Sequence, residues 1–312
     1  MTINILFAAK AERWDGYEKP LNDALRKALP GRDFTLATDL PPEDVDYIVY
    51  APNSDLQDFT PYTRAKAVLN LWAGVEAITG NETLNIPLTR MVDFGLTHGM
   101  VEWVTGHVLR HHLGMDADIL RKDAKWEPRT PPLARERGVA VLGVGALGQA
   151  VATALVGLGF DVTGWSRSEK QIEGVRCLHG DDGLTETLKR AEIAVLLMPD
   201  TPATRDVLNA ETLAQMPKGA FIINPGRGPL IDDDALLAAL DSGQIAHATL
   251  DVFRVEPLPE DHPYWAHPRV TVTPHLAAAT RNETASEVIA ENIRRSEAGE
   301  PLLHLVDRDL GY

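Results

Sequence analysis

Three residues late in the chain have the types that anion binding and proton transfer at a carbonyl need. Arg227 stands in Ile223-Asn-Pro-Gly-Arg227-Gly-Pro-Leu, Glu256 in Leu250-Asp-Val-Phe-Arg-Val-Glu256-Pro-Leu-Pro, and His275 in Val270-Thr-Val-Thr-Pro-His275-Leu. A guanidinium holds a carboxylate in a fork and polarises the carbonyl beside it. An imidazolium protonates an alkoxide as it develops, and a nearby carboxylate keeps that imidazole charged by raising its pKa. Taken singly, each has a blander reading. A Glu before Pro is commonly a solvated turn residue, and most of the 10 histidines, His262 and His267 among them, belong to surface or core. Their weight comes from recurrence after three strand-like runs, because ligands of an open α/β sheet bind outside the carboxyl ends of its strands.

A hydride donor is written into the same half of the chain. Val139-Ala-Val-Leu-Gly143-Val-Gly145-Ala-Leu-Gly148 is an apolar strand running into G-x-G-x-x-G and then into a helical pattern. Gly143 allows the tight turn, Gly145 lets a pyrophosphate approach the backbone, and Gly148 lets the helix lie close to the strand. Gly143, Gly145, Ala146, Leu147 and Gly148 are therefore expected to meet a dinucleotide at a helix N-terminus. The acid that would bond the ribose of NAD is missing from the tip of the next strand, which reads Trp165-Ser166-Arg167-Ser168-Glu169. Arg167 can bond a 2′-phosphate in a fork, with Ser166 and Ser168 as hydroxyl partners, so NADP(H) is the expected cofactor. NAD(H) stays open through the alternative in which Arg167 merely solvates a turn and Glu169 serves from an offset position.

These residues need a frame. Short apolar runs at Ile3–Ala8, Tyr47–Tyr50 and Ala67–Leu71 read as strands, and Tyr17–Ala28 has the spacing of an amphipathic helix. A long helix is expected over Gly99–His112, where Met100, Trp103, Val104, His107 and Val108 share a face. Trp126-Glu-Pro-Arg-Thr-Pro-Pro132 cannot hold a helix and is read as a crossing between domains. Further strands follow at Val139–Leu142, Val162–Trp165, Ile193–Leu197, Ala220–Asn224, Ala246–Val252 and Val270–Thr273. A final helix over Asn282–Ala298 has no strand after it and is expected to pack back on the first domain. The fold class is α/β with two Rossmann-like domains and a cleft between them, residues 1–98 plus 281–312 forming one and 99–280 the other.

Length and composition agree with this frame and exclude others. The chain has 312 residues, enough for two domains, with 44% hydrophobic and 24% charged residues, so it is not a disordered chain. A formal charge of −15 disfavours nucleic acid and anionic membrane as partners, and no apolar run approaches a transmembrane span. One cysteine, Cys177, excludes an intrachain disulfide and a thiolate metal cluster, and no metal site is expected. With no basic leader before Ile3–Ala8, a reducing cytoplasm is the expected setting. The negative total sharpens one expectation: Arg167, Arg227, a charged His275 and the helix N-terminus after Gly145 must concentrate positive charge locally.

N-x-x-R-G around Arg227, D-V-F-x-x-E-P around Glu256 and T-P-H at His275 together resemble the successive signatures of the D-isomer-specific 2-hydroxyacid dehydrogenase family. The resemblance runs from the glycine turn to Leu276 and more loosely over Ile3 to Met100. It implies a flavodoxin-like substrate domain beside an NAD(P)-binding Rossmann domain. It also implies Arg227 as binder of carboxylate and carbonyl, His275 as general acid/base, Glu256 as its partner and Asp251 as a nicotinamide contact. Leu197-Met-Pro199-Asp-Thr201-Pro-Ala-Thr204 and Asn224-Pro225-Gly226 match cofactor-side loops, which adds Pro199, Thr204, Pro225 and Gly226. Leu71-Trp72-Ala73-Gly74-Val75, the Trp165–Ser168 segment and the ending Val306–Tyr312 are most similar to the glyoxylate/hydroxypyruvate reductase A branch. Backbone N–H groups at Ala73 and Gly74 are then expected at the substrate carboxylate, with Trp72 closing over it and Arg90 near the mouth.

A homodimer through the helix near 100–112 and the proline-rich arm is implied as well. Two departures stand out: the ribose-binding acid is absent, and Pro225-Gly226 replaces a small apolar pair ending in alanine. The implied activity is NADPH-dependent reduction of a small 2-oxo acid to its 2-hydroxy acid. The alternatives are a family enzyme with another substrate, or a non-catalytic protein that senses nicotinamide nucleotides. A sensor has no use for Arg, Glu and His kept together, and a regulatory C-terminal extension finds little room in this length.

Overall fold

The computed structural model describes residues 2–308, 310 and 311; of the segments singled out above, Met1, Asp309 and Tyr312 lie outside them. The chain forms two compact units, Met1–Leu96 with Thr280–Tyr312, and Thr97–Ala279.

In the first unit, β1 (Ile3–Ala8), β2 (Phe34–Ala37), β3 (Tyr47–Tyr50), β4 (Ala67–Asn70) and β5 (Leu88–Thr89) form a parallel sheet in the order β2-β1-β3-β4-β5. β3 and β4 are buried along their whole length, as central parallel strands covered on both faces must be. α1 (Ala11–Ala28) begins well before the periodicity expected from Tyr17 and buries Tyr17, Leu21 and Leu25, spaced four apart. The short α2 (Glu76–Thr79) follows β4.

α3 (Phe94–Leu113) starts five residues earlier than expected, and the boundary between units falls inside it, after Leu96. The proline-rich segment is therefore not the crossing. Residues 126–132 lie wholly within the second unit, irregular as their prolines require, after α4 (Asp116–Ile119).

The second unit holds seven parallel strands: β6 (Gly138–Leu142), β7 (Asp161–Ser166), β8 (Arg176–His179), β9 (Ile193–Leu196), β10 (Ala220–Asn224), β11 (Ile245–Leu250) and β12 (Val270–Val272). Their order is β12-β11-β10-β9-β6-β7-β8, so direction of travel reverses between β6 and β9. That reversal is where a doubly wound sheet opens a crevice at its carboxyl edge. α5 (Ala146–Gly157), α6 (Gly180–Arg190), α7 (Ala210–Gln215) and α8 (Asp233–Asp241) connect the strands. Two apolar layers sit on the sheet, one around Leu142, Leu196, Ile222 and Leu250 and one around Val141, Val195, Ile223 and α3's Val104 and Val108. The chain then returns to the first unit as α9 (Asn282–Glu297), whose Ala285, Ile289 and Ile293 are buried where it packs on α1. β2, β5 and β8 are the strands that apolar runs did not reveal. β2 and β8 are half-exposed sheet edges and β5 has two residues, so none needs a continuous apolar stretch.

The far end of α3 carries a buried histidine cluster with a consequence for stability. His111 is 4% exposed, its Nε2 lies 2.9 Å from Thr249 Oγ1, and its ring stacks on Phe221. His247 Nε2 lies 2.8 Å from Thr271 Oγ1, which also accepts from Arg110 at 3.0 Å. Burial, then neighbouring positive charge, pushes His111 down to about 3 and His247 to about 4. The unfolded chain takes up these protons first, so stability is full above the ordinary histidine value of 6.5 and is lost as pH falls toward 4. At pH 5 His111 alone withdraws about 2 kcal/mol. Urea unfolding followed from about pH 7.5 to 5 is expected to show that loss, with a shallower slope for His111→Asn. An unchanged slope in the variant would remove His111 as its source.

Candidate active site

All seven strands of the second sheet are parallel, so every loop after a strand emerges on one edge. The glycine turn follows β6, Ser166 ends β7, Pro199 lies past β9, Arg227 past β10, Asp251 directly after β11 and His275 past β12.

Glu256 and His275, 19 residues apart, meet there: His275 Nδ1 lies 2.6 Å from Glu256 Oε2. The other carboxylate oxygen, Oε1, accepts from the Phe253 N–H at 2.9 Å, which fixes the carboxylate in rotation. The hydrogen bond and charge of Glu256 raise the His275 pKa above its ordinary value, against burial and the opposing Arg227 charge. Burial alone would raise the Glu256 pKa, yet the bonds from His275 and Phe253 and the Arg227 charge carry it below the usual range. Each member thus favours the charged form of the other, imidazolium beside carboxylate. About half of the His275 side chain is accessible, at 54%, so Nε2 is available to a reacting group.

The backbone that presents His275 is itself unusual. His275 has φ +51°, a left-handed conformation that non-glycine residues adopt at some cost and that clusters at functional sites. Asp251 holds it there. This fully buried carboxylate accepts from Thr273 Oγ1 at 2.6 Å, Leu276 N at 3.0 Å and Ala277 N at 2.8 Å, and the Asp251 carbonyl accepts from His275 N at 2.9 Å. The resemblance implies a nicotinamide contact for Asp251; in the structure its carboxylate is engaged with the histidine loop.

Arg227 is half-buried and donates from Nη1 to the Gly226 carbonyl at 2.7 Å. Its loop is shaped by the asparagine that opens the N-x-x-R-G motif. Buried Asn224 donates through Nδ2 to the Arg227 carbonyl at 2.9 Å and accepts from Gly226 N–H at 3.1 Å. The Pro225-Gly226 departure has a steric reason, since a Cβ at Gly226 would stand 2.7 Å from the Leu196 carbonyl oxygen. Gly226 thus packs against the end of β9, and Pro225 beside it is buried.

The glycine turn fits a dinucleotide's pyrophosphate. Gly143 has φ +101°, and a Cβ there would lie 2.7 Å from the Leu197 carbonyl. At Gly148 a Cβ would collide with the Gly143 carbonyl oxygen, so the helix can approach only as glycine. A Cβ at Gly145 would meet nothing within 4 Å, which leaves open space at the N-terminus of α5, where Gly145 and Ala146 are exposed and Leu147 is half-buried. Arg167 and Ser168 are exposed just past β7. The Ser166 hydroxyl donates to the Ser168 carbonyl at 2.7 Å, closing the turn that carries Arg167. Glu169 lines a neighbouring cavity of about 740 Å³ with Lys170, Glu173, His179, Asp182 and Glu186. Thr204 donates to the Pro199 carbonyl at 2.6 Å and accepts from Thr201 N–H at 2.9 Å, which shapes the loop past β9.

Trp72, Ala73, Gly74 and Arg90 belong to the first unit. Trp72, Ala73 and Gly74 are half-buried after β4, and Arg90 N–H donates to the His304 carbonyl at 3.0 Å. Among the described residues no group of three or more His, Cys, Asp or Glu could hold a metal, and no helix is long and apolar enough to cross a membrane.

The family model described as D-isomer specific 2-hydroxyacid dehydrogenase, NAD binding domain, matches residues 105–277. A curated relative, glyoxylate/hydroxypyruvate reductase A of Serratia proteamaculans, is 42% identical over 80% of this chain and 82% of its own length. A D-isomer specific 2-hydroxyacid dehydrogenase from Xanthobacter autotrophicus Py2, solved with NADPH and MES, superposes with a TM-score of 0.90 at 41% identity, covering 100% of both chains. An NADPH-dependent glyoxylate/hydroxypyruvate reductase from Sinorhizobium meliloti, solved with NADP and sulfate, gives a TM-score of 0.85 at 34% identity, covering 100% of this chain and 99% of that one.

Proposed function

This chain belongs to the D-isomer specific 2-hydroxyacid dehydrogenase family, and from that premise we propose that it is an NADPH-dependent reductase of small 2-oxo acids, turning glyoxylate into glycolate and hydroxypyruvate into D-glycerate. The observation that carries the reading is the His275–Glu256 pair at 2.6 Å, with the Arg227 charge acting on both members.

When bound, NADPH supplies the hydride for the carbonyl carbon. Gly143, Gly145, Ala146, Leu147 and Gly148 would hold its pyrophosphate, Arg167 and Ser168 its 2′-phosphate, and the loops of Pro199, Thr204, Pro225 and Gly226 its nicotinamide half. Arg227 binds the substrate carboxylate and polarises the carbonyl oxygen, so charge gathers on that oxygen against a fixed cation. His275 Nε2 gives its proton to the same oxygen, and the product is an alcohol. Glu256 accepts from Nδ1 throughout, which keeps the imidazole protonated beforehand and aligned afterwards. In the first unit, backbone N–H groups at Ala73 and Gly74 receive a carboxylate, with Trp72 beside them in sequence and Arg90 in the same unit.

The relatives named for glyoxylate and hydroxypyruvate and the structures solved with NADPH or NADP support the substrate and cofactor assignments. A homodimer is part of the proposal, supported by the exposed apolar side chains of Met115, Ile119, Leu120, Trp126 and Leu133 beyond α3, which include a tryptophan 95% accessible. With one cysteine in the chain, a reducing cytoplasm is the proposed setting.

The test is a panel of 2-oxo acids assayed with NADPH and NADH at matched concentrations. Glyoxylate and hydroxypyruvate are expected to lead, with NADPH preferred by about tenfold or more, the worth of a charge-assisted fork on a phosphate. A strong preference for NADH, or no turnover of any 2-oxo acid, would overturn the reading.

A further inference from the structure

Resting on that reading, we infer that Asn70 is the positioning residue that sets the backbone of residues 72–75 to receive the carboxylate of the 2-oxo acid. Asn70 ends β4 and is 1% exposed. Its Nδ2 donates to two carbonyls of the loop that follows, Trp72 O at 2.9 Å and Gly74 O at 3.0 Å. The Trp72 carbonyl also accepts from Met91 N–H at 2.9 Å, and the Leu71 carbonyl accepts from Thr280 Oγ1 at 3.3 Å. Three carbonyls of this short loop are therefore held by donors from the protein itself.

In a planar trans peptide the carbonyl and the next N–H point in opposite directions. Fixing the Trp72 carbonyl toward Asn70 turns the Ala73 N–H away from it. Fixing the Gly74 carbonyl does the same to the Val75 N–H, and the Gly74 peptide is held between the two. Among the described residues, the amides of Ala73, Gly74 and Val75 donate to no protein acceptor. Two backbone donors, of Ala73 and Val75, are thus turned away from the same amide with the Gly74 N–H between them, the arrangement of an anion receptor, and one side-chain amide organises it.

The other half of that amide argues the same way. Asn70 Oδ1 is buried with no partner among the described residues. A buried acceptor without a donor costs stability, and the strand's preceding residues Ala67, Val68 and Leu69 show what packing alone would place here. The side chain is explained by its two donated bonds and not by the strand's own needs.

Calorimetric binding of oxalate, a two-carboxylate stand-in for the substrate, to the NADPH-loaded protein tests the inference. Asn70→Ala is expected to weaken oxalate by about tenfold or more while NADPH affinity stays as in the wild type. The preference in kcat/KM for glyoxylate over its uncharged ethyl ester is expected to shrink by a similar factor, a change that a loss of packing alone would not produce. Asn70→Asp keeps the volume and removes the donors, and it must show the same shrinkage, which keeps the test alive where the alanine variant fails to fold. Oxalate affinity and the acid-over-ester ratio left unchanged would overturn the role of Asn70. Oxalate binding that depends on Asn70, in a protein that reduces no 2-oxo acid, would uphold that role and overturn the proposed reaction instead.

Discussion

Replacing His275 is expected to lower kcat for 2-oxo acid reduction by about 10²- to 10⁴-fold, the usual contribution of a positioned general acid, with NADPH affinity unchanged. His275→Asn is the informative variant. The residue sits at φ +51°, a conformation that asparagine tolerates, so the loop is kept while the proton donor is removed. Stopped-flow absorbance of NADPH measures the step, and a rate within about threefold of wild type would exclude His275 as the acid. The pH dependence carries a sign that tests the partnership. Because Glu256 raises the His275 pKa, reduction should be level at low pH and fall as pH rises through a value above the ordinary histidine one. In Glu256→Gln the hydrogen-bonded anion is gone while burial and the Arg227 charge remain, so the falling limb must move to lower pH. A limb that stays in place would separate Glu256 from the titration.

Replacing Arg227 with alanine is the second large effect, and it should differ in kind. The guanidinium is asked to bind a carboxylate in the ground state and to stabilise oxygen charge in the transition state, so KM rises and kcat falls together. A loss of about 10²- to 10³-fold in kcat from the second task alone is the scale of removing one preorganised donor. Arg227→Lys restores charge without the fork, and a partial recovery is expected. The same substitution to alanine moves the pH profile the opposite way from Glu256→Gln. The Arg227 charge lowers the His275 pKa, so removing it sends the falling limb to higher pH. A variant with wild-type KM, or with an unmoved limb, would place Arg227 outside the site.

These results would also explain how an acidic chain hosts anions. The formal charge is −15, yet Arg227, the imidazolium of His275 and the open N-terminus of α5 belong to loops on one edge of one sheet. Acidic groups near them are engaged: Glu256 with His275 and Phe253, and Asp251 with Thr273, Leu276 and Ala277. Local charge at a site is thus set by which carboxylates are already bonded, and the total says little about it.

The sequence by itself determined the central strands, the glycine turn and the identities of Arg227, Glu256 and His275. Each rests on local information: an apolar run long enough to be buried on both faces, a glycine spacing with a steric meaning, or a reactive side chain just past a strand. It did not determine β2, β5 and β8, which lack an apolar run, and the crossing it reads at the prolines of 126–132 is not where the units part, which is inside the regular helix α3. Nor did it reveal Asn224, Asp251 and Asn70 as supports. Asn224 and Asn70 each brace a loop a few residues ahead, but only the folded turn shows which carbonyls they meet. Asp251 reaches Leu276 across 25 residues, a pairing that exists only because β11 and β12 lie side by side. Residue type and spacing announce which groups can react. The hydrogen bonds that hold those groups in their reactive geometry join residues whose proximity the tertiary structure alone creates.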